Sequence, residues 1–551
     1  MSAQPPLRQP ESPALPQLME AREAYARGEW DAALRTMESA GEESPLSLED
    51  LEILARSKWW LGDVQGSMAL SEEVFRGMVA RAQFQAAAKA ALTLSLQWGV
   101  RGNIAVSSAW LNRARRLLDR LPESPEHGYL LYLEGNDAIY LEGDADSAFA
   151  ASLQLTAMNR RQKAPELESF ALMLSGLAAV RRGQAARGFE DLDQALLPVM
   201  AGKVPAEWGG DIYCSVIHLC YELADYSRMR WWTDALAAWC ASLSTSFMYS
   251  GIVRVHELQL ISAEGGWKQA EAELAHLGER LRNAQAWIAA DCFNELGDIR
   301  RRQGNRSGAA AAYAMARGLG VDAQPGSALL VADAGKDEEA LTDLRAALAD
   351  RGRLGRAWLL LPLVELLAPR DADSAEVFCS ELEGTAAYYG TAGLIAWAHH
   401  ARGALLMAQG RWLQSLPEFE AAALGYRSQH LRYELARIHE RLSSVRAALG
   451  EAGASDAERA TAAAIRTQLG AAPFSLPNVD DALGGLTARE MEVLGCVLSG
   501  SSNRQIAQTL TISEKTASRH LANIFTKIGV NSRTAAAAWA RHHGIAEHHR
   551  T

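Results

Sequence analysis

One short pattern recurs along most of this 551-residue chain and restricts its fold more than any other feature: a turn residue, an apolar or aromatic residue two positions on, and a small residue three further. It stands as Gly28-x-Trp30-x-x-Ala33, Gly62-x-Val64-x-x-Ser67, Gly102-x-Ile104-x-x-Ser107, Gly143-x-Ala145-x-x-Ala148 and Gly183-x-Ala185-x-x-Gly188. Ala224-x-Tyr226-x-x-Met229, Gly265-x-Trp267-x-x-Ala270, Gly304-x-Arg306-x-x-Ala309 and Gly335-x-Asp337-x-x-Ala340 continue it. A degenerate Arg370-x-Ala372-x-x-Ala375 and Gly410-x-Trp412-x-x-Ser415 complete eleven units, at intervals of 31 to 41 residues. Residues 17 to about 470 are rich in Ala, Leu, Glu and Arg and lack strand-like alternation, which predicts helices throughout. The turn residue then ends one helix in a left-handed conformation, the apolar residue plugs the angle between two helices, and the small one lets them approach. A two-helix unit cannot bury its own apolar face, so the units must stack into a superhelix.

These units resemble tetratricopeptide repeats of the longer, irregular kind found in bacterial regulators, over roughly residues 20 to 450. The resemblance implies a concave face suited to a peptide, a partner helix or a small ligand. Two tryptophan pairs, Trp59-Trp60 and Trp231-Trp232, fall in this body. Neighbours on a helix point about 100° apart, so one of each pair either lines a groove or sits in a second helix interface.

Charge divides the chain unevenly. The whole carries -11, yet from Leu486 onward eight Lys/Arg face four Asp/Glu. An acidic body with a small basic tail is the pattern expected when only the tail meets phosphates. Six scattered cysteines, 214, 220, 240, 292, 379 and 496, form no C-x-x-C pair and read as free thiols. No apolar run approaches the roughly 18 residues of a membrane span, and residues 1–16, with five prolines, read as a flexible tail and not as a signal peptide. A cytoplasmic protein is expected.

Residues 471–485 hold two prolines and a glycine pair and read as a linker. The segment 486–551 then parses as four helices. Thr487 and Glu490 form a candidate capping box, ahead of Met491, Leu494 and Val497-Leu498, until Ser499-Gly500. A second helix, Asn503 to Leu510, buries Ile506, Ala507 and Leu510; Ser513 caps a third from Glu514 to about Ile528; a fourth runs from Arg533 to His543. In the third, Ala517, Leu521, Ile524, Phe525 and Ile528 face inward, leaving Lys515, Ser518, Arg519, Ala522, Asn523 and Thr526 outside. Two short helices joined by a tight turn, the second basic on its outer face, make a helix-turn-helix.

The same segment resembles the LuxR-type DNA-binding domain through Leu486-Thr487-Ala488-Arg489-Glu490, Ser502-Asn503, Ile506-Ala507, Leu510 and Ile512-Ser513-Glu514-Lys515-Thr516. His520, Asn523-Ile524, Lys527-Ile528-Gly529-Val530 and Ser532-Arg533-Thr534 extend the likeness. Three positions depart from the pattern: Ala517 stands for the usual valine, Ser518 for a frequent basic residue, and Ala522 for a longer side chain. The resemblance implies double-stranded DNA as partner. Ser518, Arg519, Ala522 and Asn523 are the candidates for base edges, with Arg519 able to reach guanine in bidentate fashion. Arg504, Lys515, Thr516 and Lys527 are the candidates for phosphates, while Arg489 and Glu490 read as ties between helices. The last helix, Arg533–His543, resembles the segment through which such domains pair as homodimers.

The fold class expected is therefore all-α: a tetratricopeptide-like α-solenoid (17–470), a linker (471–485) and a four-helix LuxR-type helix-turn-helix domain (486–551). The architecture is similar to the class of the maltose-regulon activator but lacks the G-x-x-x-x-G-K-[ST] phosphate loop of its nucleotide-binding module. No catalytic arrangement, cofactor or metal site stands out, and His542, His543, His548 and His549 read as a polar tail. The function expected is a non-enzymatic transcription regulator, an activator working with RNA polymerase, whose body senses a small molecule or protein effector. An interaction scaffold with an idle tail, or a sigma-factor-like promoter-recognition subunit, are the alternatives. Against the latter, no basic, aromatic-rich region lies upstream to open a promoter.

Overall fold

A computed structural model describes residues 15–243, 247–283, 285–473, 486 and 488–542. Most of the proline-rich start, most of the linker, Thr487 and the histidines from His543 on lie outside the described residues. The described residues are helical, without strands, and none of their helices is long and apolar enough to cross a membrane.

Twelve helical hairpins follow one another in the body. They pair α1 (Leu15–Ala26) with α2 (Trp30–Glu43), α3 (Leu48–Trp60) with α4 (Val64–Ala80), and α5 (Phe84–Val100) with α6 (Ile104–Leu118). Next come α7 (Pro125–Asp137) with α8 (Ala145–Gln162), α9 (Pro165–Arg181) with α10 (Ala185–Met200), and α11 (Ala206–Glu222) with α12 (Tyr226–Ser242). The seventh to ninth join α13 (Phe247–Ala263) to α14 (Trp267–Leu281), α15 (Ala286–Arg302) to α16 (Arg306–Gly318), and α17 (Gly326–Ala332) to α18 (Asp337–Ala349). The last are α19 (Arg353–Leu367) with α20 (Ala372–Tyr389), α21 (Ala392–Ala408) with α22 (Trp412–Ser428), and α23 (Arg432–Ala448) with α24 (Ala452–Leu469).

The recurring pattern marks the turn inside each hairpin. At Gly28 (φ 76°) the N–H of Glu29 reaches back to the Ala24 carbonyl and that of Gly28 to Tyr25, closing a Schellman motif. The same pair of bonds recurs at Gly62, Gly102, Gly183, Gly265, Gly304, Gly335 and Gly410, and at Ala224, which bears its side chain at φ 53°. Arg370 does not adopt the left-handed conformation, and Asp371 caps α20 by accepting the Ser374 N–H at 3.0 Å. Immediately after, Ala33, Ala148, Ala270, Ala309, Ala340, Ala375 and Ser415 are wholly buried between paired helices. The plugging position is less uniform: Trp30, Val64, Trp267 and Trp412 are buried, but Ile104 is 44% exposed.

The twelfth hairpin extends the repeat beyond the eleven units read from sequence. Gly450 (φ 81°) begins the turn, and Glu451 donates to the Arg446 carbonyl. Ser455 is buried and hydrogen-bonded to Ser443 at 3.1 Å, as Ser107 is to Ser95 in the third hairpin.

The superhelix closes on itself. Helices facing the axis meet across it: Arg56 lies 3.2 Å from Glu207, Tyr132 donates to Asp211 at 2.7 Å, and the Trp60 ring is 5.7 Å from that of Tyr249. Later units also seat on earlier turns. Thr391 donates to the Leu223 carbonyl (2.7 Å), Trp358 Nε1 to that of Glu222 (3.0 Å), and Ala472 N–H to that of Arg302 (2.9 Å). Side chains of the body thus bridge helices that lie far apart in sequence. Trp59 and Trp60 are both buried, with Trp60 stacked on Trp30 at 5.4 Å; in the other pair Trp232 is buried while Trp231 is 67% exposed.

Candidate nucleic-acid interface

The tail builds four helices around a core of its own: α25 (Ala488–Leu498), α26 (Asn503–Thr509), α27 (Glu514–Lys527) and α28 (Arg533–His542). Leu486, Val493, Leu494, Val497, Ile506, Leu510, Ala517, Leu521, Ile524 and Ala540 make that core. Met491 is only half-buried, because the inward stripe of α25 runs through Val493 instead.

Local chemistry sets each helix. Ser502 and Gln505 form a capping box at the start of α26, where Ser502 N–H donates to Gln505 Oε1 at 2.7 Å and Gln505 N–H to Ser502 Oγ at 3.3 Å. Sequence reasoning placed a box at Thr487, outside the described residues, and passed over this one, although Ser502-x-x-Gln505 carries its signature. Thr511 then turns the chain at φ 54°, an unusual conformation for a β-branched residue, and the N–H of Ile512 reaches the Ala507 carbonyl at 2.9 Å. Ser513 caps α27 by accepting the Thr516 N–H at 3.0 Å.

Helix α27 divides cleanly by face. Ala517, Leu521 and Ile524 are buried and Phe525 and Ile528 half-buried, while Lys515, Ser518, Arg519, Ala522, Asn523 and Thr526 are exposed. At 100° per residue, positions 515, 518, 519, 522 and 526 fall within one outward sector. The base-edge candidates Ser518, Arg519 and Ala522 therefore share a surface, with Asn523 exposed at its flank. Arg504 on α26 and Lys515 are exposed, and Thr516 is half-buried with its hydroxyl 2.7 Å from that of Ser513. Arg504, Lys515 and Arg519 form no ion pair among the described residues.

Lys527 is placed differently from the other phosphate candidates. Its Nζ lies 2.6 Å from Oε2 of Glu490, whose side chain is 5% exposed, so it ties the end of α27 to α25. Arg489 in turn donates to the Leu510 carbonyl and pairs with Glu492. Both members of the Arg489-Glu490 dipeptide thus hold helices together. A further tie escaped the sequence: Arg533 donates to Asn503 Oδ1 at 2.9 Å and to the Ser501 carbonyl, and Asn503 Nδ2 donates to Ser518 Oγ at 2.9 Å. Burial pulls the Arg533 guanidinium below its ordinary pKa and pushes the Cys496 thiol up.

Comparison with known proteins places this geometry. Residues 485–540 match the family described as bacterial regulatory proteins, luxR family. The probable csgAB operon transcriptional regulatory protein of Salmonella typhimurium is 51% identical over 55 residues, which are 10% of this chain and 26% of that protein. The transcriptional regulatory protein MctR of Rhizobium johnstonii is 36% identical over 91 residues, 15% of this chain and 42% of MctR. This chain thus spans between a quarter and a half of the length of these curated relatives. Among solved structures, a chain of the APC/C hetero-tetramer Cut9–Hcn1 aligns over 97% of this chain and 96% of its own, with a TM-score of 0.40 and 11% identity. The C-terminal unit of this chain is a LuxR-type domain of the bacterial regulatory proteins, carried behind a body of repeated helical hairpins.

Proposed function

We propose that this protein is a sequence-specific, DNA-binding transcription regulator and not an enzyme. The observation that carries the reading is the outward face of α27, where exposed Lys515 and Arg519, without an ion pair among the described residues, stand beside the short side chains of Ser518 and Ala522. Short side chains let a helix backbone sink into a major groove, and an arginine there makes the bidentate contact to guanine O6 and N7. In this reading Ser518, Arg519, Ala522 and Asn523 meet base edges, and Arg504, Lys515 and Thr516 hold phosphates. Lys527, already paired with Glu490, acts by holding α27 in place. Dimers form through Arg533–His543 on two-fold sites. The body receives a small-molecule or protein effector and governs how the tail activates transcription with RNA polymerase, in the cytoplasm and on the nucleoid when bound.

Genome-wide occupancy of the intact chain beside an Arg519→Ala, Lys515→Ala double variant tests this. Discrete promoter-proximal peaks lost in the double variant are the expected result; peaks unchanged by it would favour an interaction scaffold instead. Binding to a recovered site across a salt series sorts the lysines. Lys515→Ala should lower the slope of log affinity against log salt by about one. Lys527→Ala should leave that slope unchanged and lower the melting temperature of the domain, because Glu490 stays buried without its cation.

A further inference from the structure

Where the end of α8, the start of α9 and the end of α10 meet, they leave a groove of about 520 Å³. Three exposed cations line it: Arg160 and Lys163 at the end of α8, and Lys203 after α10. None of the three forms an ion pair among the described residues, although the chain as a whole carries -11. Basic neighbours are paired: Arg161 holds Glu123 through two bonds of 2.9 and 2.7 Å, and Arg182 holds Asp146. Among the described residues that line the groove, only Glu168 is acidic.

Apolar side chains lie among these charges. Leu172 and Pro198 are half-buried and Leu197 is 64% exposed; Met200, one turn further along α10, is 66% exposed. Pro198 has no N–H to give to the carbonyl of Gln194, another lining residue, so a backbone acceptor is left short of its helical donor. Cations suit the ends of α8 and α10, but a helix dipole acts only within the last turn and gives no reason for Leu197 and Met200 to stay exposed.

We infer that this groove docks an acidic, apolar peptide segment of a partner protein. Carboxylates of the segment meet Arg160, Lys163 and Lys203, while its apolar side chains cover Leu197 and Met200. Charge complementarity selects the sign of the partner. The exposed leucine and methionine select a peptide over a nucleic acid, whose phosphates would leave them uncovered. This rests on the reading of the body as the receiver of an effector, and narrows that effector to a protein.

The test is selection of binders by the full chain from a phage-displayed library of random peptides, followed by affinity measurements with an enriched peptide. Enriched sequences should combine Asp or Glu with Leu, Ile, Met or Phe. The Arg160→Glu, Lys203→Glu double variant, which turns two attractions into repulsions, should bind that peptide about tenfold more weakly. Leu197→Gln, which keeps helix propensity and removes apolar contact, should also weaken it about tenfold. These positions are exposed, so the variants should melt with the parent. The Arg519→Ala, Lys515→Ala variant should bind the peptide as the intact chain does; loss there would assign the capture to the basic tail and overturn the inference. It is equally overturned by enriched sequences without acidic residues, by no enrichment, or by an affinity that the groove variants leave unchanged. Binding of a DNA duplex that falls with the groove double variant would make this a nucleic-acid surface and overturn it too. If peptides dock as expected but the groove variants leave promoter occupancy unchanged, the docking inference stands and the effector reading fails.

Discussion

A carboxyl group that folding takes out of water resists ionising, and Glu295 of α15 is such a group. It is 8% exposed and accepts the Ser262 hydroxyl at 2.5 Å. Burial, aided by the neighbouring Asp298 and opposed by Arg302, pushes its pKa up to about 7. The folded value lies above the unfolded one, so the group costs nothing at low pH and destabilises progressively as pH rises through that window. Glu295→Gln keeps an acceptor for Ser262 and removes the charge. The variant should be more stable than the parent at pH 8 by on the order of 1–3 kcal/mol, the gap closing below about pH 4.5. Melting curves at the two pH values check this; a gap independent of pH would rule out the raised carboxyl as its cause. The contrast with α27 shows what single residues disclose in advance. Ser513, Ala517, Leu521 and Ile524 were legible because capping and the 3.6-residue period act within a few positions. Glu295 was not, since its burial depends on neighbours from other helices. Nor was the tie from Arg533 to Asn503, which joins residues 30 apart.

Within a hairpin, two different demands fall on glycine, and they can be separated. Where α9 meets α10 the backbones touch: a Cβ added at Gly188 would lie 2.6 Å from the Gly176 carbonyl oxygen, and one added at Gly176 would lie 2.7 Å from the Gly188 carbonyl. Backbone atoms cannot rotate aside, so Gly188→Ala must spread the helices. At Gly450 nothing stands within 4 Å, and only the left-handed φ of 81° resists a side chain. Gly188→Ala should therefore cost about 2–3 kcal/mol and Gly450→Ala about 1 kcal/mol, read from denaturant midpoints of the full chain. Equal costs would mean that close approach is not the reason for a small residue at the sixth position of the repeat. The repeat was readable because one unit's solution recurs at nearly fixed spacing. Its twelfth copy, Gly450-x-Ala452-x-x-Ser455, has the same form as the units at Gly143 and Gly183 and was passed over in the stretch before the linker.

A stack of hairpins that touched only its neighbours would unfold piecemeal, each interface adding its own term. This body departs from that limit because its superhelix brings units far apart in sequence into contact. The start of α21 sits on the turn between α11 and α12. There Thr391 Oγ1 donates to the Leu223 carbonyl, 168 residues away, and a Cβ on Gly393 would fall 2.0 Å from the Ala224 carbonyl oxygen. Ser227 N–H meets Gln429 Oε1 at 3.2 Å across 202 residues, and Trp267 packs 5.6 Å from Tyr433. No spacing rule announces such pairs, so sequence reasoning could foresee a concave face but not that inner side chains would meet across it. The consequence is cooperativity between distant units. Thr391→Val removes a donor and leaves the buried Leu223 carbonyl without that partner, at a cost of about 1–3 kcal/mol. In hydrogen exchange of the full chain, amides near 388–395 and those near 219–228 should lose protection together, although only the first group lies beside the substitution in sequence. Loss confined to 388–395 would mean that the turns of the superhelix open independently. Joint loss would mean that the two turns open as one cooperative unit, held together by contacts that lie far apart in sequence.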